Sequence, residues 1–146
     1  VVRRCLDEGI GRVLQIGVRA FSEEECIMME NDDRILSWMA RDIRKNRAVE
    51  SEITDFISEI QGPVWLSIDI DALDPSNVPA TGTPVPGGLD YWFVNEIIER
   101  LFSGTANVVG ADVSEIVPDD HGVTQFTAAT IATSILAGVC YRNGGE

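Results

Sequence analysis

The segment LSIDIDALDPSNVPATGTPVPGG, residues 66–88, places three carboxylates directly after an apolar run, at Asp69, Asp71 and Asp74. Alternation along an extended backbone puts Asp69 and Asp71 on the same side of the chain. Two negative charges that close either raise one pKa strongly or are neutralised by a cation. Because hard oxygen ligands suit Mg²⁺, Ca²⁺ or Mn²⁺, the segment predicts a site for a divalent metal.

A purely structural explanation of the same segment competes with the metal site. A bare Asp-x-Asp before Asp-Pro is often a solvated turn, in which Asp74 caps the turn and Pro75 ends the strand. The length of the segment and its run of Thr, Pro and Gly favour the metal site. We interpret Asp74, and Asp112 further along, as groups that support the site or form turns.

The pattern on either side of this segment predicts an α/β fold. Short apolar runs predict strands at 12–18, 35–39, 64–70 and 107–113. Helical spacing and capping residues predict helices at 2–8, from Ser22, at 40–46, 48–60, 90–102 and 122–141. Such continuously apolar strands indicate a mostly parallel sheet covered on both faces. Ligands of open α/β sheets bind beyond the carboxyl ends of the strands, where two of these strands end in acid.

Composition limits the kind of partner and compartment. The 146 residues suffice for one domain, and 24 acidic against 11 basic residues give a net charge of −13. This charge repels nucleic acid and favours cations or substrates with cationic groups. The three cysteines lack the spacing of a zinc site and fit the reducing cytoplasm. The apolar runs look shorter than a membrane span, so no membrane partner is expected.

Three segments together resemble the ureohydrolase family of arginases and agmatinases. SIDIDALDPSNVPATGTPVPGGL (67–89) resembles the signature of that family. LQIGVRAFSEEE (14–25) resembles its IGxR strand and turn, and GADVSEIVPDDHG (110–122) resembles its later GxDxxExxP segment. The three matches occur in the order of the family and span almost the whole chain.

The resemblance implies a three-layer α/β/α fold and manganese-dependent hydrolysis of a small guanidino compound to urea and an amine. It maps Asp69 and Asp71 onto ligands of two manganese ions, Glu115 onto the group that binds the guanidinium, and Thr83 onto a substrate contact. It assigns no catalytic residue to this chain. A homo-oligomer is expected of the complete enzyme.

The physical chemistry agrees with these implied roles. Two divalent ions about 3.5–4 Å apart need shared carboxylates, and they lower the pKa of a bound water to about neutrality. A planar guanidinium facing the carboxylate of Glu115 forms strong, geometrically selective hydrogen bonds.

The chain departs from the family pattern in its ligand set. The family's GGDHS and DAHxD segments, which supply most of the metal ligands, are absent, and the chain has one histidine, His121. We therefore expect residues 1–146 to be the C-terminal portion of a single ureohydrolase domain without its N-terminal metal-binding half. The start at Val1, inside a predicted helix, favours this interpretation, and we expect little or no activity from this portion alone.

The substrate remains open between several guanidino compounds. Arginases place an aspartate after the IGxR turn to bind the α-amino group, whereas Ser22 stands nearby here and carries no charge. This favours an agmatine-like substrate. Arginase activity stays possible, also because the ATGTP loop (80–84) resembles arginases, and formimidoylglutamase is a lesser candidate.

Two hypotheses from other functional classes compete with the hydrolase. In phosphotransferases of the haloacid-dehalogenase type, Asp-x-Asp also follows a buried strand. A Thr or Gly normally comes soon afterwards, whereas Ala72-Leu73 stands here. The other alternative is a non-catalytic partial-fold binding or assembly module.

Three further residue types receive structural interpretations. Arg19 is expected to brace acidic loops through ion pairs, and His121 to be a surface or hydrogen-bonding residue. The tryptophans are expected to pack in the core or between layers. These are Trp38, Trp65 and Trp92.

Overall fold

The computed structural model describes residues 1–143, in which strands and helices alternate as predicted. The helices are α1 (Val2–Asp7), α2 (Glu23–Asn31), α3 (Ala40–Lys45), α4 (Arg47–Ser58), α5 (Tyr91–Ser103) and α6 (Val123–Asn143). The strands are β1 (Val13–Val18), β2 (Ile35–Met39), β3 (Gly62–Asp69) and β4 (Ala106–Ser114). A 3₁₀ turn, Ile70–Ala72, follows β3 and was not predicted from the sequence.

The strands pair in parallel, as predicted, but in two separate sheets. β1 pairs with β2, and β3 pairs with β4, so that Asp69 lies opposite Ser114 at the end of both strands. The expectation of one continuous sheet therefore does not hold within residues 1–143. Each strand in this range has one unpaired edge, because only its single partner donates to and accepts from it.

Local sequence explains where the main helices begin. Ser22 and Glu25 form a capping box at the start of α2: the Ser22 hydroxyl accepts from the Glu25 amide at 3.2 Å, and the Glu25 carboxylate accepts from the Ser22 amide at 2.8 Å. Asp90 caps α5 by accepting from the Trp92 amide at 2.8 Å. Both caps stand where the sequence predicted them.

The core lies between one face of the β3–β4 sheet and the helices packed on it. Its fully buried side chains come from strand, turn and helices and form one hydrophobic cluster. Burying each such aliphatic side chain contributes about 1.5–3 kcal/mol. The largest of them are Ile53, Ile70, Leu73, Val78, Ile98 and Ile131.

The opposite face of the β3–β4 sheet is open, which corrects the expectation of strands buried on both faces. Trp65 is 63% exposed and lies over Gly110, where an added Cβ would come 2.4 Å from the indole ring. Trp92 is also exposed, so core packing holds only for Trp38, which meets Phe56 edge to face. Side chains alternate along β3 between the two faces, and within residues 1–143 helices cover only one of them.

Helix α6 corrects the expectation about apolar run length. Its segment Val123–Arg142 has a mean hydropathy of 1.5 and is long and apolar enough to cross a membrane. A single helix of this kind is weak evidence for a membrane segment, because core helices of globular proteins have the same length and composition. Here Ala128, Ile131 and Ile135 of the helix are buried in the core, but only 22% of the apolar segment is buried in all.

Candidate functional site

The predicted site residues lie together at the carboxyl ends of β3 and β4. Asp69 is the last residue of β3 and faces Ser114, the last residue of β4, across the parallel register. Glu115 follows immediately. Parallel strands end at the same edge of a sheet, so Asp69 and Glu115 lie close together, as the sequence predicted. We call this edge, with Asp69, Asp71 and Glu115, the rim.

The two aspartates are connected through the 3₁₀ turn, so the extended backbone that the sequence predicted between them is wrong. The Asp71 amide donates to Asp69 Oδ1 at 3.2 Å. The other end of Asp71 is held by Thr83, whose hydroxyl donates to Asp71 Oδ2 at 2.7 Å. Thr83 therefore fixes a carboxylate that is predicted to bind metal, which the sequence did not indicate.

Glu115 stands in an unusual backbone conformation beside the same loop. Its φ is 61°, in the left-handed region that non-glycine residues rarely adopt. Gly82 lies beside it: a Cβ added to Gly82 would lie 3.4 Å from Glu115 Oε2, an ordinary contact distance. Such backbone strain costs about 1–3 kcal/mol and concentrates at functional sites.

The rim is electrostatically unfavourable for its own carboxylates. Partial burial raises the pKa of Asp69 although the side chain stays open to solvent, and the negative charges of Asp71 and Glu115 raise it further. The hydrogen bond from the Asp71 amide opposes this increase. Among residues 1–143 the ion pairs lie elsewhere, at Arg34–Asp32, Arg41–Asp42 and Arg100–Glu96. A bound cation would relieve the repulsion at the rim.

Asp74 organises the loop that carries Thr83. Its Oδ1 accepts from the amide and hydroxyl of Ser76, and its Oδ2 accepts from the Gly87 and Gly88 amides at 2.8 and 3.2 Å. These hydrogen bonds, led by those from Ser76, lower the pKa of Asp74 to about 2. The sequence interpretation of Asp74 as a turn-forming group fits this arrangement.

His121 has the exposed, hydrogen-bonded position expected of it, whereas Asp112 lies within β4 and forms no turn. Asp112 accepts from Trp65 Nε1 at 2.6 Å and from the Ser67 hydroxyl at 2.9 Å, across the open sheet face. His121 is exposed, and its amide donates to Asp119 in the turn before α6.

Arg19 braces the acidic loop, but the expected ion pairs are wrong. Its guanidinium donates to the carbonyl oxygens of Gly17, Asp71 and Ala72. The bracing role is therefore as the sequence predicted, but the partners are backbone carbonyl oxygens, which the sequence did not indicate.

The rim residues fit a divalent metal in chemistry but not in number. Carboxylate oxygens are suitable ligands for Mn²⁺, and Asp69 and Asp71 offer them side by side. Within the described part of the chain, however, no three His, Cys, Asp or Glu side chains are grouped to bind one ion. Two carboxylates hold such an ion weakly, so a complete site needs ligands beyond these.

Comparison with known proteins gives a family match and close relatives. The model of the arginase family matches residues 1–138. The agmatinase of Pyrococcus horikoshii is 37% identical over 133 residues, and an N(1)-aminopropylagmatine ureohydrolase of Thermus thermophilus is 34% identical over 128 residues. The crystal structure of agmatine ureohydrolase from Thermoplasma volcanium superposes with a TM-score of 0.77 at 32% identity.

The matches cover most of this chain but less than half of each relative. They include 90% of the chain and 44% of the Pyrococcus protein, and 88% and 42% for the Thermus protein. The Thermoplasma structure matches 98% of the chain and 48% of its own length. The chain thus spans less than half the length of the relatives it matches.

Proposed function

The chain belongs to the arginase family, and on that premise we propose that the complete protein is a manganese-dependent hydrolase of guanidino compounds, releasing urea and an amine. The observation that carries the proposal is the meeting of Asp69, Asp71 and Glu115 on one rim. In this proposal Asp69 and Asp71 bind metal, and the bound ions would lower the pKa of a water to give a nucleophile near neutral pH.

Glu115 would bind and orient the guanidinium. Among the described residues Glu115 forms no ion pair, so its carboxylate is available for two charge-assisted hydrogen bonds to a planar cation. The strained backbone of Glu115 supports this role, because an unfavourable conformation persists where the side chain has to point in one direction. Thr83 would act mainly by holding Asp71, and its contact with substrate would be secondary.

The substrate we propose is agmatine-like. The hydroxyl of Ser22 caps α2, and this residue offers no negative charge to an α-amino group. The relatives named agmatinase and aminopropylagmatine ureohydrolase support the same choice. Arginase is the second candidate, favoured by the ATGTP loop at 80–84.

For residues 1–146 alone we propose little or no turnover. Two aspartates do not define a two-metal site, so the remaining ligands must come from the portion of the family fold that this chain does not span. A binding or assembly role for the isolated chain is the alternative. Cytoplasmic location and oligomerisation of the complete enzyme stay predictions.

The test is urea release with Mn²⁺ from agmatine and from arginine. The chain is assayed alone and together with the unmatched portion of a homologous agmatinase. We expect no turnover alone, turnover of agmatine above arginine when both portions are present, and loss of at least 100-fold in E115Q. E99Q, an exposed glutamate on α5, is the matched control.

Each other outcome changes the proposal in a defined way. Turnover by the chain alone contradicts its inactivity. A preference for arginine supports the arginase alternative. If Mn²⁺ binds to the combined portions but neither substrate is hydrolysed, the assembly module becomes the better explanation.

A further inference from the structure

Arg19 connects the two sheets of the structure at the site. It follows the end of β1, and its guanidinium reaches the 3₁₀ turn after β3, where it donates to the carbonyl oxygens of Asp71 and, at 2.9 Å, of Ala72. A further hydrogen bond of 3.3 Å goes back to Gly17 at the end of β1. One side chain therefore fixes the backbone of the turn that carries Asp71.

Asp71 is held from two sides. Arg19 holds its peptide group, and the Thr83 hydroxyl holds its carboxylate at 2.7 Å. The Asp71 amide in turn donates to Asp69 Oδ1. Movement of the turn would therefore change the position of both carboxylates at once.

The choice of carbonyl partners preserves the negative charge of the rim. A guanidinium paired with Asp71 or Glu115 would compete with a metal ion for the same oxygens. Arg19 instead donates its hydrogen bonds to backbone oxygens. Its buried Nε has no partner among the described residues. The turn is thus fixed while Asp69, Asp71 and Glu115 keep their oxygens available to a cation.

We propose that Arg19 is a positioning residue, which sets the orientation of the Asp71 carboxylate relative to Asp69 for binding of a divalent metal. The metal-binding consequence rests on the proposed function. The orientation of Asp71 itself does not.

Arg142 offers a matched control elsewhere in the chain. Its guanidinium also binds three backbone carbonyls, those of Phe102, Gly104 and Ala106. They lie between the end of α5 and the first residue of β4, and that residue is about 26 Å from the opposite end of the strand, where the site lies. R142Q therefore removes a comparable brace without touching the site.

The first measurement follows the side chain of Asp71 in the metal-free, isotope-labelled chain. Three-bond couplings between its backbone and Cγ report whether one χ1 rotamer is populated. We expect a single rotamer in the wild type and in R142Q, averaged couplings in R19Q, and an intermediate result in R19K. Wild-type couplings in R19Q would overturn the proposal.

The second measurement follows Mn²⁺ through paramagnetic broadening of the Asp69 and Asp71 amide signals. We expect R19Q to need about 10- to 100-fold more Mn²⁺ than the wild type, as for other groups that orient metal ligands, and R142Q to need the same amount. Equal broadening in R19Q and the wild type would show a merely structural brace and overturn the proposal.

Two controls keep the outcomes separate. Methyl signals of buried Ile98 and Ile131 show whether R19Q is folded, and if it is not, R19K alone decides between averaged and single-rotamer couplings. If the wild type shows no localised Mn²⁺ broadening, the proposed metal site is wrong, while the Asp71 couplings still decide the role of Arg19.

Discussion

Asp69 and Asp74 affect the pH dependence of the free energy of unfolding in opposite directions. The raised pKa of Asp69 means that the folded chain binds its proton more tightly than the unfolded chain does. The free energy of unfolding therefore falls as pH rises from the ordinary value of 3.8 through the folded value, and the loss is complete above it. Asp74 behaves in the opposite way, because hydrogen bonds lower its pKa to about 2.

We predict that D69N stabilises the metal-free chain while removing metal binding. Above the folded pKa the substitution removes charge repulsion, which we expect to raise the free energy of unfolding by about 0.5 kcal/mol at pH 7 after solvent screening. The gain should disappear below pH 3.8. Urea denaturation at both pH values measures it, with D55N on the exposed side of α4 as control. A destabilised D69N at pH 7 would contradict the repulsion.

We predict that D74N loosens the loop that carries Thr83. The substitution weakens four hydrogen bonds, so the free energy of unfolding should fall by about 1–2 kcal/mol at pH 7. The contribution of Asp74 is present above pH 3.8 and is lost as pH falls toward about 2. The difference between variant and wild type in urea denaturation should shrink accordingly. A difference that is constant with pH would exclude the carboxylate as its source.

At the scale of helices and strands, local patterns were sufficient for most of the fold. Ser22 and Asp90 marked helix starts because a cap acts within three residues, and the spacing of Ile53 and Ile57 marked a buried helix face. The open face around Trp65 was not predictable, because the sequence of an apolar strand does not indicate which face of the sheet other elements cover. The same applies to the carbonyl partners of Arg19 in the 3₁₀ turn, which lie more than fifty residues away along the chain.

Local sequence also predicted some features of the candidate site but not others. The Asp-x-Asp after a strand indicated Asp69 and Asp71, and the family resemblance indicated Glu115 and Thr83. No local signal predicted the left-handed backbone of Glu115 or the hydrogen bond from Thr83 to Asp71, because both depend on how the 80–84 loop lies against two strand ends.

The packing of α5 on α6 yields a prediction at this scale. An added Cβ at Gly138 would lie 2.4 Å from the ring of Phe102, so the two helices approach as closely as glycine allows. G138A should lower the free energy of unfolding by about 1–3 kcal/mol despite the better helix propensity of alanine. Thermal and urea denaturation measure the loss. In the F102L background the loss should become smaller, and an equal loss there would show that the ring is not the cause.

At the scale of the whole molecule, residues 1–143 expose unpaired strand edges and one face of a sheet. Each strand of residues 1–143 has an unpaired edge, and one face of the β3–β4 sheet is open around Trp65. Unpaired edges and apolar faces of this kind favour association. The chain matches less than half of each relative, and we propose that the further segments of the family fold cover these surfaces.

We predict that the unmatched portion of a homologous agmatinase covers Trp65. In a W38F/W92F variant, Trp65 is the remaining tryptophan, and its emission should shift to shorter wavelength when that portion is added. The isolated chain should also elute from size-exclusion columns as a concentration-dependent mixture, which the added portion should convert to one species. Unchanged emission together with a strictly monomeric chain would contradict this expectation.

The positive φ of Glu115 has a consequence for the history of such sequences. A glycine at position 115 would lower the conformational energy of the backbone by about 1 kcal/mol. Selection for stability alone would therefore not favour glutamate at this position. Under the proposed function, selection for guanidinium recognition favours glutamate at this position. We therefore expect descendants of this chain that lose the proposed activity to drift to glycine or asparagine at position 115.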